Sequence, residues 1–355
     1  MTVSEILTKV IAKERLSAAE GLTLLQQGDL LALGIAANEV KKRIHSDDIV
    51  TFVIDRNINY TNICEVKCRF CAFYREQGHS DAYVLSKEEI FHKIQETVEV
   101  GGTQILMQGG IHPGLGLDYY LDLLASIKKR FHIHIHSFSP PEIWHMAQMS
   151  KLTVKEIILK LKEAGLDSLP GGGAEILTDQ VRHHISPKKI SWRQWLEVME
   201  TAHGVGLRTT ATMMFGSVET LEDRILHLVR LRELQDKTGG FTAFIPWSYQ
   251  PGNTDLGGSS ATGIEYLKML AVSRIMLDNF TNIQASWVTQ GAKMAQVSLW
   301  FGANDFGGTM LEENVVRATG VSNTVPLDEI INAIKNTGNI SAQRNTMYTI
   351  IKRYD

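Results

Sequence analysis

The sequence predicts an α/β protein, a closed (βα)8 TIM-type barrel with an N-terminal helical extension, and three observations support this. From residue 49 onward, apolar strands, glycine- or polar-rich loops and amphipathic helices follow one another about eight times. That order builds a parallel sheet, and eight units of this length close it. No linker or low-complexity segment interrupts the run, and 355 residues suffice for one barrel-sized core. An open six-strand barrel with an irregular C-terminal section is the alternative.

Residues 1–48 read as a helical lead-in. Ile6, Val10 and Ile11 recur at helical spacing, as do Leu22, Leu24 and Leu25, and Ser17 to Glu20 has the form of a capping box. The barrel is expected over 49–322. Its first strand, 51–58, runs into a loop holding all the cysteines, and a second capping box, Ser86 to Glu89, opens the next helix. Strand two (103–107) ends in Gln108-Gly109-Gly110, and strand three (132–137) ends in Phe138-Ser139-Pro140-Pro141-Glu142. Strand four (167–169) runs into Pro170-Gly171-Gly172-Gly173-Ala174-Glu175. Strands five to seven are expected at 208–214, 241–245 and 282–285, and a last apolar stretch at 297–301. Residues 323–355 read as a helix and tail packed on the barrel. The loops after the strands share one rim, where barrel active sites sit.

Composition narrows the class. Hydrophobic residues make up 44% and charged residues 21%, as in ordinary globular enzymes. The net charge of −3 points to neither nucleic acid nor an acidic membrane surface. No apolar run approaches the roughly 20 residues of a membrane span, and the first residues lack a signal-peptide pattern. The expectation is a reduced, cytoplasmic setting with no nucleic-acid or membrane partner.

Cys64, Cys68 and Cys71 are the only cysteines, spaced CxxxCxxC with Phe70 before the last. Thiolates suit iron–sulfur clusters and zinc, which usually take four protein ligands. Three thiolates without a fourth point to a cubane cluster whose remaining iron is open to a non-protein ligand. Zinc would need His79 as its fourth ligand, and a disulfide framework does not suit an odd count in a chain of this kind. His132, His134 and His136 alternate along strand three and so share a face, but neighbours in the row are about 6–7 Å apart along a strand, too far for one metal to collect all three. His136, nearest the rim, is the one expected to reach the site. Trp247, Tyr249 and Trp287 lie on rim loops, as ligand platforms or as core.

The cysteine loop resembles that of the radical S-adenosylmethionine (SAM) superfamily. The resemblance implies a [4Fe-4S] cluster on Cys64, Cys68 and Cys71, with SAM chelated at the open iron. Gln108-Gly109-Gly110 stands where many members have Gly-Gly-Glu, but Ile111 replaces the acid, so only the backbone role carries over; a plain turn is the other reading. Thr212 to Glu219 resembles the GxIxGxxE pattern of strand five, which places Met214 along the adenine and Glu219 either beside it or in the fold. Ser139 and Glu142 are weaker candidates for the SAM ribose. Glu175, beside the triple glycine, suits ribose hydroxyls or a proton transfer.

Longer stretches are similar to the dehypoxanthine futalosine cyclase family of menaquinone biosynthesis. They include GGTQILMQGG (101–110), HSFSPPE (136–142), DSLPGGGAE (167–175), FTAFIPWSYQPGNT (241–254) and GANDFGGTMLEEN (302–314). This implies dehypoxanthine futalosine as substrate and a low-potential electron donor such as flavodoxin or ferredoxin. A 5′-deoxyadenosyl radical would take hydrogen from ribose C4′, and the carbon radical would add to the benzoate ring. Loss of one electron and one proton would then restore aromaticity. Glu175 and His136 are the candidate bases. Ser248, Thr289 and Gln290 are candidates for the benzoate anchor, since Arg75 is the one obvious rim arginine. Aminofutalosine synthase or FO synthase chemistry, and a non-catalytic iron–sulfur redox protein, are the alternatives.

Overall fold

In the computed structural model, which describes residues 1–354, the first apolar run is one extended stretch broken at Ile54. It forms β1 (Ile49–Val53) and β2 (Asp55–Ile58). The remaining strands are β3 (Gln104–Met107), β4 (His134–Ser137), β5 (Ser168–Leu169), β6 (Arg208–Phe215), β7 (Phe241–Ser248), β8 (Asn282–Ile283), β9 (Asp305–Gly308), β10 (Ile340–Arg344) and β11 (Ile350–Tyr354). β2 to β8 form a parallel seven-strand sheet in chain order, and a second sheet runs β11-β10-β1-β9. The two sheets are joined by the chain between β1 and β2. They also meet at a parallel bridge from Gln284 to Asp305, where the Ala285 N–H donates to the Asp305 carbonyl at 2.9 Å. With β1 and β2 counted as one broken strand, eight parallel strands complete the ring.

Two expectations are corrected. The eighth strand is not 297–301: a helix, Ala292–Ser298, runs into that stretch, and the strand is β9, inside the glycine-rich segment that follows. A glycine run reads as a loop, but here it permits close approach, because a Cβ on Gly308 would sit 2.2 Å from an Asp55 carboxylate oxygen. The C-terminal stretch is not a helix and plain tail. After the helix Leu327–Lys335 it forms the antiparallel β10–β11 hairpin, and β10 pairs in parallel with β1 from Ile49 to Phe52.

The lead-in forms three helices, Val3–Ile11, Ala18–Gln27 and Leu30–Ile44. Arg15 pairs with Asp236 at 2.6 Å and Asp278 at 2.8 Å, next to the ends of two barrel helices. Glycines let these helices pack closely: Gly34 lies against the Phe301 ring and Gly21 against Met276.

The hairpin carries a charge into the barrel. Arg344 Nε donates to Asp305 Oδ2 at 2.5 Å and Nη2 to Oδ1 at 3.0 Å, and both side chains are buried. Thr51 adds a hydroxyl donor to the same carboxylate at 2.5 Å. A planar guanidinium gripping a carboxylate through two bonds ties β10 to β9. Arg344→Met takes away the cation beside the buried Asp305 and leaves it only the Thr51 hydroxyl and the Gly307 N–H, and is expected to cost about 3–5 kcal/mol. Urea unfolding measures this; a midpoint equal to wild type would show that the pair carries no such load.

Candidate active site

The rim above β2, β3 and β4 is built around one buried carboxylate. Glu142 accepts the Tyr60 hydroxyl at 2.7 Å, the Gly109 N–H at 3.1 Å, and the Ser139 N–H and hydroxyl at 2.7 and 2.5 Å. Burial pushes its carboxyl pKa up, against these hydrogen bonds, which favour the ionised form. Tyr60 ends the first strand just before the cysteines, Gly109 follows β3 and Ser139 caps the helix Pro140–Ser150. Three strand ends are thus fixed relative to one another.

The cysteine loop is held from several sides. The Cys64 N–H donates to the Arg75 carbonyl, Glu65 N–H to Ile111, and Arg69 N–H to Ile185, at 3.1, 3.0 and 2.8 Å. Cys64, Cys68 and Cys71 gather with Val66, Phe70 and Ile111 in a small apolar cluster. Gly110 must be glycine, because a Cβ there would lie 2.2 Å from the Ile63 carbonyl oxygen and 2.9 Å from Cys64 Cβ. Burial pushes the Cys68 thiol up to about 12, and raises Cys71 as well. Thiolates at such depth need positive charge nearby. Burial alone would lower the Lys189 pKa, but the neighbouring Cys68 and Glu175 hold it above its ordinary value.

Among the described residues no three His, Cys, Asp or Glu side chains form a group that could hold a single metal ion. His79 is exposed and accepts the Asp81 N–H at 3.1 Å, so it does not complete a zinc site. A cubane places each thiolate on a separate iron and does not need ligands that converge on one point. Three thiols on one dry, cation-flanked loop fit such a cluster.

Beside this loop a cavity of about 280 Å³ opens into the barrel. Of the candidates from sequence, Gln108, His136 and Glu175 line it, together with the triple glycine. Gly109 packs under the Tyr60 ring, while Gly110 backs the cysteine loop. Ser139 is committed to Glu142. Met214 is fully buried and donates its N–H to the Glu175 carbonyl at 3.0 Å. Glu219 accepts from Gly216 and Ser217 N–H groups at 2.5 and 2.9 Å and from Arg224 at 2.8 Å, which makes it a clasp for the loop after β6. Trp247, Trp287 and Thr289 line the cavity. Tyr249 does not: its hydroxyl is 2.5 Å from the Thr254 hydroxyl. Gln290 donates to Ser248 at 2.5 Å, so this pair is bound to itself, away from the cavity.

The triple-glycine loop lies flat against the wall. Gly171 exchanges bonds with Thr210 and Thr212, Trp195 donates to the Gly172 carbonyl, and Arg182 donates to the carbonyls of Gly173 and Ala174. A Cβ on Gly172 would meet Gln108 Nε2 at 2.3 Å. Glu175 follows in the left-handed region at φ 42°. Its Oε1 takes Lys189 Nζ at 2.8 Å, while the buried Oε2 has no hydrogen-bond partner and lies 3.9 Å from Arg182. His136 is buried, and burial drives its pKa down to about 3, so the imidazole is neutral.

Sequence reasoning missed the cavity floor: Asp55, Asn57, Gln104, Arg344, Thr346 and Tyr348. Asn57 Oδ1, Gln104 Oε1, Thr346 Oγ1 and the Tyr348 hydroxyl are, like Glu175 Oε2, buried and unpartnered. Buried polar atoms are normally paired, so orphans around one cavity indicate a polar ligand. Asp55 and Asn57 alternate within an apolar strand, a signal that was readable. The hairpin residues carried no such signal.

A thiol loop at the mouth of a (βα)8 barrel, glycine-rich turns around it and a polar-floored cavity beside it define a radical SAM enzyme. The chain belongs to the radical SAM superfamily: its family model matches residues 58–230, and a model described as the CofH/MqnC C-terminal region matches 238–354. The chain is 49% identical to cyclic dehypoxanthine futalosine synthase of Halalkalibacterium halodurans, over 100% of this chain and 96% of that protein. It is 45% identical to 5-amino-6-(D-ribitylamino)uracil–L-tyrosine 4-hydroxyphenyl transferase of Methanothermobacter thermautotrophicus, over 91% of this chain and 90% of that one. Methylornithine synthase (PylB) shares the fold, with a TM-score of 0.75 at 19% identity over 94% of this chain and 96% of that one. This chain is therefore a radical SAM enzyme homologous to cyclic dehypoxanthine futalosine synthase.

Glu142→Gln places an amide donor where the carboxylate now accepts from three residues. Leaving buried donors unpaired is expected to cost about 2–3 kcal/mol and to lower the iron retained after anaerobic reconstitution. Thermal unfolding and iron analysis read both; wild-type values for the two would remove Glu142 from this role.

Proposed function

We propose that this enzyme closes the ring of dehypoxanthine futalosine to give cyclic dehypoxanthinyl futalosine, the reaction named in its 49%-identical relative. The observation that carries the reading is likeness over the whole length of both proteins. A [4Fe-4S] cluster held by Cys64, Cys68 and Cys71 supplies, with SAM, the 5′-deoxyadenosyl radical that starts the reaction.

The protein's own work is to bind, orient and exclude water. The barrel over 49–322 provides the rim, and the C-terminal segment provides part of the floor through Arg344, Thr346 and Tyr348. Gln108, with the backbone of Gly109 and Gly110, faces the methionyl end of SAM. Glu175, held by Lys189 through Oε1, offers its free oxygen to ribose hydroxyls. Ser139, Met214 and Glu219 support these groups from behind. Trp247 and Trp287 wall the substrate, and Thr289, Thr346 and Tyr348 offer hydroxyls to the benzoate carboxylate, since hydrogen bonds to a charged group are the stronger kind. His136, neutral and facing the cavity, receives the proton lost when the ring regains aromaticity. A water-poor cavity suits an alkyl radical that attacks whatever it touches. The low-potential electron donor is of the flavodoxin or ferredoxin kind, and the setting is the reduced cytoplasm; no helix among the described residues is long and apolar enough to cross a membrane.

The 45% identity to the 4-hydroxyphenyl transferase supports a second reading, radical transfer of an aryl group. Reconstituted protein incubated with SAM and reductant is expected to cyclise dehypoxanthine futalosine. It is expected to form no adduct from 5-amino-6-(D-ribitylamino)uracil and tyrosine; the opposite pattern would exchange the two readings. Glu175→Gln is expected to lower SAM cleavage and cyclisation together by about tenfold or more, the weight of a hydrogen bond to a charged group. Unchanged rates would remove Glu175 from the site.

A further inference from the structure

The proposed cyclisation must release one proton inside the barrel cavity, and a hydrogen-bonded path leads out of it. His136 lines the cavity, and its Nδ1 lies 2.6 Å from Ser168 Oγ. The same oxygen lies 2.7 Å from His134 Nε2. The register explains the convergence: His136 pairs with Ser168 across β4 and β5, and His134 is two residues earlier on the same face. His134 is half-buried and sits beside the ion pair of Asp167 and Lys128 (2.5 Å), both about one-third exposed. His136, Ser168 and His134 therefore link the cavity to the end of the barrel away from the cysteine loop.

We infer that His136, Ser168 and His134 form a proton relay that carries the ring proton from the cavity to solvent. The inference rests on the cyclisation reading above. Ser168 has one hydroxyl proton and two ring nitrogens beside it, so one ring donates to Oγ and the other accepts from it. Thr210 Oγ1, which takes the Gly171 N–H at 3.0 Å, lies 3.5 Å from His136 Nε2 at the cavity wall. The relay runs outward from the tautomer in which Nε2 is unprotonated, Nδ1–H donates to Ser168, and the Ser168 hydroxyl donates to His134. Every donor in the row points outward.

The step balances as follows. Hydrogen abstraction moves the C4′ hydrogen atom to the deoxyadenosyl radical, and the new C4′–aryl bond leaves a ring radical. The ring C–H breaks, its proton goes to His136 Nε2, and its electron leaves to a one-electron acceptor of the iron–sulfur class. The Nδ1 proton passes to Ser168 Oγ, the Ser168 proton passes to His134, and His134 returns one to water. Burial, the largest influence on both imidazoles, lowers their pKa values and keeps them neutral at rest, so each passes a proton from one ring nitrogen as it takes one on the other instead of holding both. Ser168 and His134 do not line the cavity; they act through His136.

The test compares Ser168→Ala and His134→Phe with wild type, using substrate deuterated at C4′. Both variants break the relay by different means. Deuterium transfer into 5′-deoxyadenosine is expected at the wild-type rate in each. Cyclised product per 5′-deoxyadenosine is expected to fall by about a hundredfold, the lower end of the range for a lost acid–base path. Ser168→Thr, which keeps the hydroxyl, is expected to recover most of that ratio. A wild-type ratio in both variants, or an equal fall in deuterium transfer and product, would overturn the relay. If wild type forms no cyclised product, the cyclisation reading itself fails.

Discussion

The Glu142 carboxylate is the constraint on which the rim depends. A buried carboxylate is costly unless donors surround it, and this one has four, from the ends of β2, β3 and β4. Meeting that requirement brings Tyr60, Gly109 and Ser139 to one point. The cysteine loop begins four residues after Tyr60 and leans on Gly110, so its position is set by that point. Precision is needed because a radical generated at the mouth acts over a few ångströms, and a small misplacement is expensive in rate.

The opposite end of the cavity follows a different logic. The β10–β11 hairpin joins the sheet beside β1 and turns Arg344, Thr346 and Tyr348 toward the interior. Arg344 and Asp305 neutralise each other, and the guanidinium stacks 3.9 Å over the Tyr348 ring. Charge is thereby consumed in structure, while neutral donors and acceptors are left for a ligand. Between rim and floor, the flattened triple-glycine loop and the indoles of Trp247 and Trp287 form the walls.

Much of the barrel was legible because its signals are local. Cysteine spacing, alternation and glycine-rich turns each depend on a few neighbouring residues, and those patterns single out the thiol loop and the cavity-lining Gln108, His136 and Glu175 as candidates. Ser139 and Glu142 show the limit. Their S-x-x-E spacing is itself a capping box, and in the structure local capping claims both side chains that ligand recognition was expected to use. β9 was hidden because glycines that permit contact with Asp55 look like a loop. The role of Ser168 depends on the register between β4 and β5, and that of Arg344 on pairing between distant ends of the chain. Such long-range registers leave no local pattern.

The central claim is that substrate sits in the cavity beside the thiol loop with its ribose C4′ presented to the radical. Mass spectrometry of 5′-deoxyadenosine formed from C4′-deuterated dehypoxanthine futalosine tests it most directly. One deuterium in the 5′-deoxyadenosine and its loss from the cyclised product are expected. Unlabelled 5′-deoxyadenosine accompanying product that retains the deuterium would contradict it.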